Sequence, residues 1–402
     1  MIDAIASRRE ALLEDLRTHV AIPTGGFHEP GIERTRDTLT ARLRALGATH
    51  TREPADPKPG WLLGGEAGAY RPETSVCERL NGASAGRVMI AGHMDTVHDP
   101  DGAFRELTIA ADGATATGPG CVDMKGGLVI AVAALEALEE CGIRANWTVT
   151  LNADEETGTF HSARTLRDQA ARHDYGIALE PALPGGELAI ERMGAGQFMI
   201  ETRGRSAHVG RDFASGVSAV TKLAECLVAV GEMPDPERGR ILSIGPIEGG
   251  AATNAVPDRA RAWGNVRYAG ADQADEIAAM LDALTTPDDA MPGVTVRRTF
   301  NRPAKPLIPE TEALAGMARD AAESLGQSLP FASTGGVCDG NILQDAGLPT
   351  IDTLGVRGGG LHTPQEWIEL TSLVERCQLL AVLIARLSAG GCEHTGGKGN
   401  QP

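Results

Sequence analysis

Residues 88–100 read VMIAGHMDTVHDP and residues 118–127 read GPGCVDMKGG, and this stretch decides the fold. The apolar run before His93 is typical of a strand that is buried on both faces, as in a parallel sheet. Side chains alternate along a strand, so we expect His93 and Asp95 to point the same way at its carboxyl end. The glycine-rich turn then presents Asp123, and a helix of small apolar residues follows. The pattern predicts an α/β fold with polar side chains at one edge of its sheet.

Length and composition narrow the classes of protein to which this chain can belong. It has 402 residues, of which 42% are hydrophobic, and a chain of this length is expected to form two domains. Its 50 glycines follow no period, which excludes a collagen-like fibre. The net charge of −17 argues against a nucleic-acid partner, because binding to a phosphate backbone needs a basic surface. An anionic small-molecule substrate stays open, since a few arginines can dominate one pocket.

Cysteine usage and the amino-terminal segment bear on the cellular compartment. The seven cysteines are scattered, no two have metal-ligand spacing, and their odd number makes a poor disulfide framework. Reduced thiols in a cytoplasm are the simplest interpretation. Residues 1–20 carry charges throughout and lack the apolar centre of a signal peptide. No run reaches the roughly 18 apolar residues of a membrane span, so we expect a cytoplasmic protein without a membrane partner.

The order of predicted elements divides the chain into two domains. Strands alternate with helices in residues 1–190 and again in 302–390, which predicts one discontinuous α/β domain with a mainly parallel, three-layer sheet. Between them, residues 191–301 follow a βαββαβ order, which predicts an inserted two-layer domain of the ferredoxin-like kind. Residues 391–402 are rich in glycine and polar side chains, and we expect a flexible tail there.

Three local predictions are specific. Residues 2–20 have helical periodicity and are expected to form one surface helix. The strand-like run at 187–192 is grouped with the strands of the inserted domain. The segment STGGVCDGN (333–341) is expected to be a turn.

The polar residues after the first buried strand have the chemistry of a metal site. A histidine that binds a metal usually donates its other ring N–H to a carboxylate, and His93 with Asp95 supplies both groups. A core histidine satisfied by a neighbouring aspartate explains this motif equally well. Asp123 has two oxygens with which it could bridge two cations, and taken alone it also fits an ordinary helix N-cap. The turn before it lacks the Gly-Lys-Ser/Thr order of a phosphate loop.

Further acids and a second histidine follow later in the chain. Glu155 and Glu156 follow a predicted strand, Glu180 ends the next one, and His362 lies in the glycine run GGGLHTP (358–364). Successive acids repel one another unless a cation or solvent compensates them, so a solvated loop is the alternative to a site. If these groups meet at the carboxyl edge of one sheet, they could hold two metal ions about 3.5 Å apart. Mixed imidazole and carboxylate ligation suits zinc.

Taken together, the motifs resemble those of the co-catalytic zinc exopeptidase/aminoacylase family. The matching segments are AGHMDTV (91–97), GPGCVDMKGG (118–127), NADEETGT (152–159), ALEP (178–181), RSAHVG (205–210), TNAVP (253–257) and GLHTP (360–364). The resemblance runs from about residue 5 to residue 387 in the same order, and it is closest to the glutamate carboxypeptidases of that family. It implies a three-layer zinc-exopeptidase (phosphorylase/hydrolase-like) catalytic domain with an inserted lid and dimerisation domain.

The resemblance implies roles for the residues at the sheet edge. Two zinc ions would be held by five side chains: His93 and Glu180 on one ion, Glu156 and His362 on the other, and Asp123 between them. Glu155 would be the general base, and Asp95 would orient His93. The peptide between Asp123 and Met124 would be cis. Cobalt or manganese could stand in place of zinc.

The resemblance also implies roles for residues in and next to the inserted domain. His208 would reach into the site of the partner subunit of a homodimer and bind the carbonyl oxygen in the transition state. Asn254 would contact the substrate, and Arg267 and Arg302 would grip the substrate carboxylate, a task that suits the arginine fork. Without the resemblance, His208 is interpreted as an exposed turn histidine and the two arginines as ordinary surface residues.

The chain departs from the family pattern at two segments near the predicted site. The segment PALPGGELAIER (181–192) lacks the lysine with which glutamate carboxypeptidases bind a side-chain carboxylate, and Leu188 or Ala189 falls at that position. Cys338 stands where the family has a small hydroxyl residue, while Asp339 is retained. The first departure concerns specificity for glutamate and leaves the metal chemistry untouched.

The expected function is that of a zinc-dependent hydrolase that cleaves an amide bond and releases a carboxyl-terminal amino acid. An N-acyl- or N-carbamoyl-amino-acid amidohydrolase with the same two-zinc site is the alternative. A non-catalytic binding protein on this fold is disfavoured, because all five ligands and the base are present. A nucleotide-binding protein is excluded by the lack of a phosphate loop.

Overall fold

The computed structural model describes residues 1–64, 70–82 and 86–389. The helices are α1 (Ile2–Ala6), α2 (Arg9–Val20), α3 (Glu29–Ala45), α4 (Gly126–Glu140), α5 (Ala163–Ala170), α6 (Ala219–Gly231), α7 (Ala271–Asp282), α8 (Pro309–Ser324), α9 (Asp339–Asp345) and α10 (Thr371–Ser388). The strands are β1 (Thr49–Glu53), β2 (Thr74–Arg79), β3 (Arg87–His93), β4 (Thr108–Ile109), β5 (Thr115–Thr117), β6 (Asn146–Asn152), β7 (Tyr175–Ala178), β8 (Leu188–Arg192), β9 (Gly194–Arg203), β10 (Arg240–Gly249), β11 (Arg259–Tyr268), β12 (Gly293–Arg302), β13 (Phe331–Thr334), β14 (Thr350–Ile351), β15 (Gly358–Gly359) and β16 (Trp367–Glu369). The predicted tail, residues 391–402, lies outside the described residues.

A six-stranded sheet with the order β1-β2-β6-β3-β7-β14 forms the centre of the first domain. Strands β6, β3, β7 and β14 pair in parallel, whereas β1 and β2 join the edge as antiparallel strands. All seven residues of β6 are buried, as expected for a central strand covered on both faces. The predicted α/β fold class is therefore confirmed, with a parallel core and an antiparallel edge.

Helix α4 covers one face of this sheet and is buried over most of its length. Its sequence after Gly126 is small and apolar, so the helix packs closely on the sheet and on α10 and α2. Leu166 on α5 and Ile342 on α9 belong to a second apolar cluster with Met89 and Ala91 of β3. The central sheet therefore lies between two helical layers, as the sequence predicts.

A four-stranded antiparallel sheet with the order β10-β11-β9-β12 forms one layer of the inserted segment. Helices α6 and α7 pack on one of its faces around Phe198, Ile200, Leu223 and Ile277. The chain order β9-α6-β10-β11-α7-β12 is the βαββαβ order that the sequence predicts. Near the end of β12, Asn301 Nδ2 donates to the carbonyl of Gly158 at 2.7 Å, so the inserted sheet meets the loop after β6 there.

The grouping of residues 187–192 with the inserted sheet is wrong. Strand β8 pairs in parallel with β13 instead, and Leu188 is fully buried in the main core. The pattern of apolar residues is the same for either sheet, and only the packing of distant β13 decides between them. The prediction of one helix over 2–20 is also wrong in detail, because the helix is interrupted at residues 7 and 8, between α1 and α2.

The segment STGGVCDGN is more than a turn. It contains the end of β13 and the start of α9, where the Cys338 side chain accepts from the Gly340 N–H at 3.3 Å and Asn341 closes a capping box. Short strands β15, β16, β5 and β4 form a further small sheet that the sequence does not reveal. Among the described residues, no helix combines the length and apolar character that crossing a membrane would require.

Candidate metal centre and active site

The carboxyl ends of three central strands carry the predicted site residues to one place. β3 ends at His93, Glu155 and Glu156 follow β6, and Glu180 follows β7. Because these strands are parallel neighbours, their carboxyl ends open on the same edge of the sheet, where ligands bind in open α/β folds. His362 comes from elsewhere, since it lies in the hairpin between β15 and β16.

Asp123 reaches this edge from a distorted turn at the start of α4. Asp123 and Met124 have non-helical backbone angles, and the peptide that joins them is cis, which confirms the prediction made from the resemblance. Gly120 before them has φ of +71°, and a Cβ there would lie 2.7 Å from Thr96 Cγ2. Glycine is thus required at this point for the turn to approach the loop after β3.

Asp123 lies between two histidines. Its Oδ1 is 3.2 Å from His93 Nε2, and its Oδ2 is 3.5 Å from His362 Nε2. His362 Nε2 is also 3.2 Å from Glu156 Oε2. One ligand atom each from His93, Asp123 and Glu156 lie within 4.8 Å of one another, which is close enough to share a cation. The two oxygens of Asp123 thus face different histidines, as a bridging carboxylate would.

The electrostatics of the cluster are those of a site built for positive charge. The neighbouring carboxylates of Asp123 and Glu156 raise the pKa of His362 to about 10. Burial opposes ionisation of Asp123, but His362 and His93 outweigh it and hold the pKa of that carboxyl below its usual value. Burial and the nearby Glu155 raise the pKa of Glu180 well above normal. Metal cations at this place would compensate all of these carboxylates.

Asp95 connects the two halves of the cluster. His93 Nδ1 is 3.0 Å from the main-chain oxygen of Asp95 and 3.4 Å from its carboxylate. The same carboxylate accepts hydrogen bonds from the main-chain N–H groups of Glu156 at 3.0 Å and Glu155 at 3.4 Å. Asp95 therefore orients the His93 ring largely through its backbone, and its carboxylate fixes the loop that carries the two glutamates.

Glu155 is held by Arg302. Nη2 of Arg302 donates to Glu155 Oε1 at 2.8 Å and to the Glu155 carbonyl at 3.0 Å, and Nη1 lies 3.5 Å from the Asp339 carboxylate. The Arg302 side chain is only 3% exposed. Burial outweighs this ion pair and raises the pKa of Glu155 to about 7. Arg302 lines the site, but its guanidinium is already engaged with the residue expected to be the base.

Two cavities meet at the cluster and share Glu155, Glu156 and His362 in their walls. One, here called the arginine cavity, has a volume of about 390 Å³ and is lined by Arg267, Asn265, Gln197, Asn301 and Arg302. The other, here called the apolar cavity, has a volume of about 510 Å³ and is lined by Leu183, Pro184, Val337, Leu361 and Arg192. Arg267 is half-buried, and Nη1 donates to Asn265 Oδ1 at 2.9 Å. The arrangement leaves space on both sides of the cluster for the two halves of a cleavable molecule.

His208 and Asn254 lie apart from these cavities. Both are exposed, and their loops touch each other through the Val209 N–H and the Asn254 carbonyl at 3.0 Å. Neither residue is among those that line the two cavities. Within one chain the structure brings His93, Asp123, Glu155, Glu156, Glu180, His362 and Arg267 together and leaves this pair outside.

Two residues that sequence reasoning missed belong to the site. Glu366 is 1% exposed and accepts hydrogen bonds from the turn that carries Asp123. Arg192 lines the apolar cavity, and its Nε and Nη2 lie 2.9 and 2.8 Å from Asp352 Oδ1. The only hint of Glu366 in the sequence is its position, four residues after His362. For Arg192 the sequence offers no signal, because its position depends on the pairing of β8 with β13.

The chain is similar to several known proteins. Residues 89–386 match the model of Peptidase family M20/M25/M40. The chain is 27% identical over 403 residues to carboxypeptidase G2 of Pseudomonas sp. (strain RS-16), covering 97% of this chain and 92% of that protein. It is 28% identical over 329 residues to succinyl-diaminopimelate desuccinylase 2 of Shewanella loihica, covering 75% and 85%. A tripeptidase from Staphylococcus aureus shares the fold, with a TM-score of 0.74 at 23% identity over 94% and 99% of the two chains.

Proposed function

Because the chain belongs to peptidase family M20/M25/M40, we propose that it is a metal-dependent amide hydrolase that releases a carboxyl-terminal amino acid, like a glutamate carboxypeptidase. The observation that carries the proposal is the position of Asp123 between His93 and His362, with Glu155 and Glu156 beside them. Hydrolase activity on peptide-like bonds follows from the family. The release of a carboxyl-terminal amino acid and the identity of the substrate are the parts that we propose.

The side chains of the cluster fit a two-metal centre. Two imidazoles and three carboxylates would hold the ions: His93 with Glu180, Glu156 with His362, and Asp123 shared. This donor set suits zinc, and cobalt or manganese would also be accepted. When bound, the ions would lower the pKa of a water molecule and polarise the scissile carbonyl. The carboxylates of Asp123, Glu156 and Glu180 all line the apolar cavity, and the one guanidinium in its described wall, that of Arg192, is paired with Asp352, which supports cation binding by the three acids.

Glu155 is suited to move the proton. It lines both cavities, so it faces the point at which the bond of a substrate spanning them would lie. Burial brings its pKa to about 7, where a carboxylate can accept a proton from the attacking water and later donate it to the leaving amine nitrogen. Arg302 holds the carboxylate in one orientation and so prepares it for both transfers.

The arginine cavity is suited to the released amino acid. Arg267 is half-buried there, and burial together with Arg302 lowers the pKa of its guanidinium, as expected for a cation that has no carboxylate partner among the described residues. An α-carboxylate of the substrate would supply that partner through a two-pronged ion pair. Arg302 then holds the general base, Glu155. Arg267 alone would bind the substrate carboxylate, a role that the resemblance assigns to both arginines.

A homodimer would complete the site. His208 and Asn254 are exposed on the inserted domain and adjacent to each other, which supports a joint contribution to the cavity of a partner subunit. His208 would donate a hydrogen bond to the carbonyl oxygen as negative charge develops on it. The six described cysteines are all unpaired, which supports a reducing, cytoplasmic environment for this dimer.

The second candidate is an N-acyl- or N-carbamoyl-amino-acid amidohydrolase with the same metal centre. The observation in its favour is the apolar cavity, where Arg192 is the single arginine or lysine among the described lining residues. Leu188 and Ala189, one of which falls at the position of the specificity lysine of glutamate carboxypeptidases, are both buried and offer no charge to a glutamate side chain. A short acyl group would fit this cavity as well as a peptide would.

The experiment is a hydrolysis screen of zinc-loaded protein with its Glu155→Gln variant. Acyl-glutamates and dipeptides are compared with acetyl-, succinyl- and carbamoyl-amino acids, and products are identified by mass spectrometry. We expect turnover of at least one class, with a loss of about 10²–10⁴-fold in the variant and retained metal. Glu10→Gln on an exposed surface of α2 is the matched control. Near-normal turnover by Glu155→Gln refutes the assignment of the base, and hydrolysis of no amide by metal-loaded protein refutes the function.

A further inference from the structure

Glu366 is a buried acid that no step of the proposed reaction uses. Its carboxylate makes four hydrogen bonds: Oε1 accepts from the N–H groups of Val122 at 2.9 Å and Asp123 at 3.0 Å, and Oε2 lies 2.9 Å from the Gly120 N and 2.6 Å from His98 Nε2. Three of these partners are main-chain donors of the turn that presents Asp123. A carboxylate is well suited to this place, because it offers acceptors at both oxygens and needs several donors when buried.

Glu366 also belongs to the hairpin that carries His362. The two residues are four positions apart between β15 and β16, and β16 pairs with β5 just before the Asp123 turn. The main-chain carbonyl of Glu366 accepts from the Gly118 N–H at 3.2 Å as well. One residue therefore joins the His362 hairpin to the Asp123 turn through both its backbone and its side chain.

The hairpin needs such a link if His362 is to reach the cluster. The His362 side chain is 55% exposed, and its φ of +61° is a rarely populated conformation for a residue with a side chain. Contact with Asp123 and Glu156 is made only at the tip of its ring. Its distance from Asp123 therefore depends on how firmly the hairpin and the turn are held together.

We infer that Glu366 is a positioning residue that sets the distance between Asp123 and His362 and so controls metal binding at the side of the centre formed by Glu156 and His362. The inference rests on the proposed two-metal site. His98, which lies three residues after Asp95, extends the link to the loop after β3. The Glu366 carboxylate thus contacts the turn of Asp123 and the loop that follows His93, and it lines neither cavity.

The Glu366→Gln substitution tests this inference, because the amide replaces one acceptor oxygen by a donor. Whichever way it turns, an N–H₂ group then faces either the Val122 and Asp123 N–H groups or the Gly120 N–H and His98. We expect the affinity for the second zinc ion to fall about 10–100-fold, as is usual when a partner of a metal ligand is lost. The affinity for the first ion, at His93 and Glu180, should change much less.

The measurement is a competitive zinc titration of metal-free protein against a chromogenic chelator, with cobalt absorption as a second readout. Glu369→Gln is the matched control: it is on β16 of the same hairpin and binds Arg357 at 2.8 Å, away from the Asp123 turn. The control should bind both ions as the wild type does. Equal zinc affinities of Glu366→Gln and wild type, or equal losses in both variants, overturn the inference.

A milder variant covers the case in which Glu366→Gln does not fold. His98→Leu removes one donor from Oε2 and leaves the three main-chain bonds in place, so we expect a several-fold loss for the second ion. Unchanged affinity in a folded His98→Leu protein contradicts the inference. Binding of fewer than two ions by the wild type refutes the proposed two-metal function, and with it the inference that rests on it. A wild type that binds two ions, both with the same affinities as Glu366→Gln, refutes the inference alone.

Discussion

Arg302 Nη2 donates hydrogen bonds to both the carboxylate and the main-chain carbonyl of Glu155, at 2.8 and 3.0 Å. Arg302 is the last residue of β12 and therefore the end of the inserted sheet, whereas Glu155 follows β6 of the central sheet. The bond thus connects the two sheets at the loop that carries the proposed base. Any movement of the inserted domain about this point would therefore shift the side chain of the proposed base, Glu155.

The first prediction separates the two arginines of the arginine cavity by steady-state kinetics. Arg302→Lys keeps the charge but loses the fork on Glu155, so we expect kcat to fall about 100-fold with little change in KM. Arg267→Lys should instead raise KM about 10–100-fold, because a charged hydrogen bond to the substrate is lost. The reverse pattern, with KM raised by Arg302→Lys, would return the substrate-binding role to Arg302.

The second prediction concerns the partner subunit. Glu155→Gln and His208→Ala are each expected to be nearly inactive, since one lacks the base and the other the proposed oxyanion donor. Coexpression of the two should restore about a quarter of wild-type activity, because mixed dimers contain one site with both groups. A mixture as inactive as its parents, with mixed dimers demonstrated by differently tagged chains, would mean that His208 does not act across subunits.

The third prediction is that metal removal lowers stability. Asp123, Glu156 and Glu180 line the same cavity. Each ion that they help to hold, and that binds only the folded chain, stabilises it by about 2.7 kcal/mol at a hundredfold excess over its Kd. Treatment with a chelator should lower the melting temperature, and added zinc should restore it. The melting temperature of Glu10→Gln should respond in the same way. A wild-type melting temperature that changes with neither chelator nor zinc would argue against metal ligation.

The fourth prediction concerns acid stability away from the site. His19 of α2 is 1% exposed and its ring nitrogens have no hydrogen-bond partner among the described residues. Burial lowers its pKa to about 4, Asp15 opposes this, and Lys125 and Arg42 add to it. The neutral ring is therefore favoured in the folded state, so its contribution is complete above pH 6.5 and is lost as pH falls from 6.5 to 4.

The measurement is urea unfolding of metal-free wild type and His19→Gln at several pH values. The stability advantage of the wild type over the variant should shrink by about 3 kcal/mol between pH 7.5 and pH 4, from the size of the pKa shift. A difference that is independent of pH would show that His19 titrates normally in the folded protein.

Short-range patterns in the chain were sufficient for the fold class and for the principal groups of the site. The apolar run before His93 predicts a central strand, and β3 is one. Assigning β8 failed because its partner β13 lies about 140 positions later, and alternation of apolar residues does not name a partner. The prediction of a turn at 333–341 missed the start of α9, because its N-cap is Cys338, whose weakly accepting side chain is not a typical capping group.

The sequence by itself determined which chemical groups are available: imidazoles and carboxylates at strand ends, in an order that a single family shares. Only the tertiary structure decided what each group touches, and so it placed Arg302 on Glu155, buried Leu188 in the core and joined Glu366 to the turn of Asp123. The physical reason is that identity and local conformation are short-range properties of a chain. Hydrogen-bond partners and burial depend on residues that are hundreds of positions apart, and these come together only when the core packs.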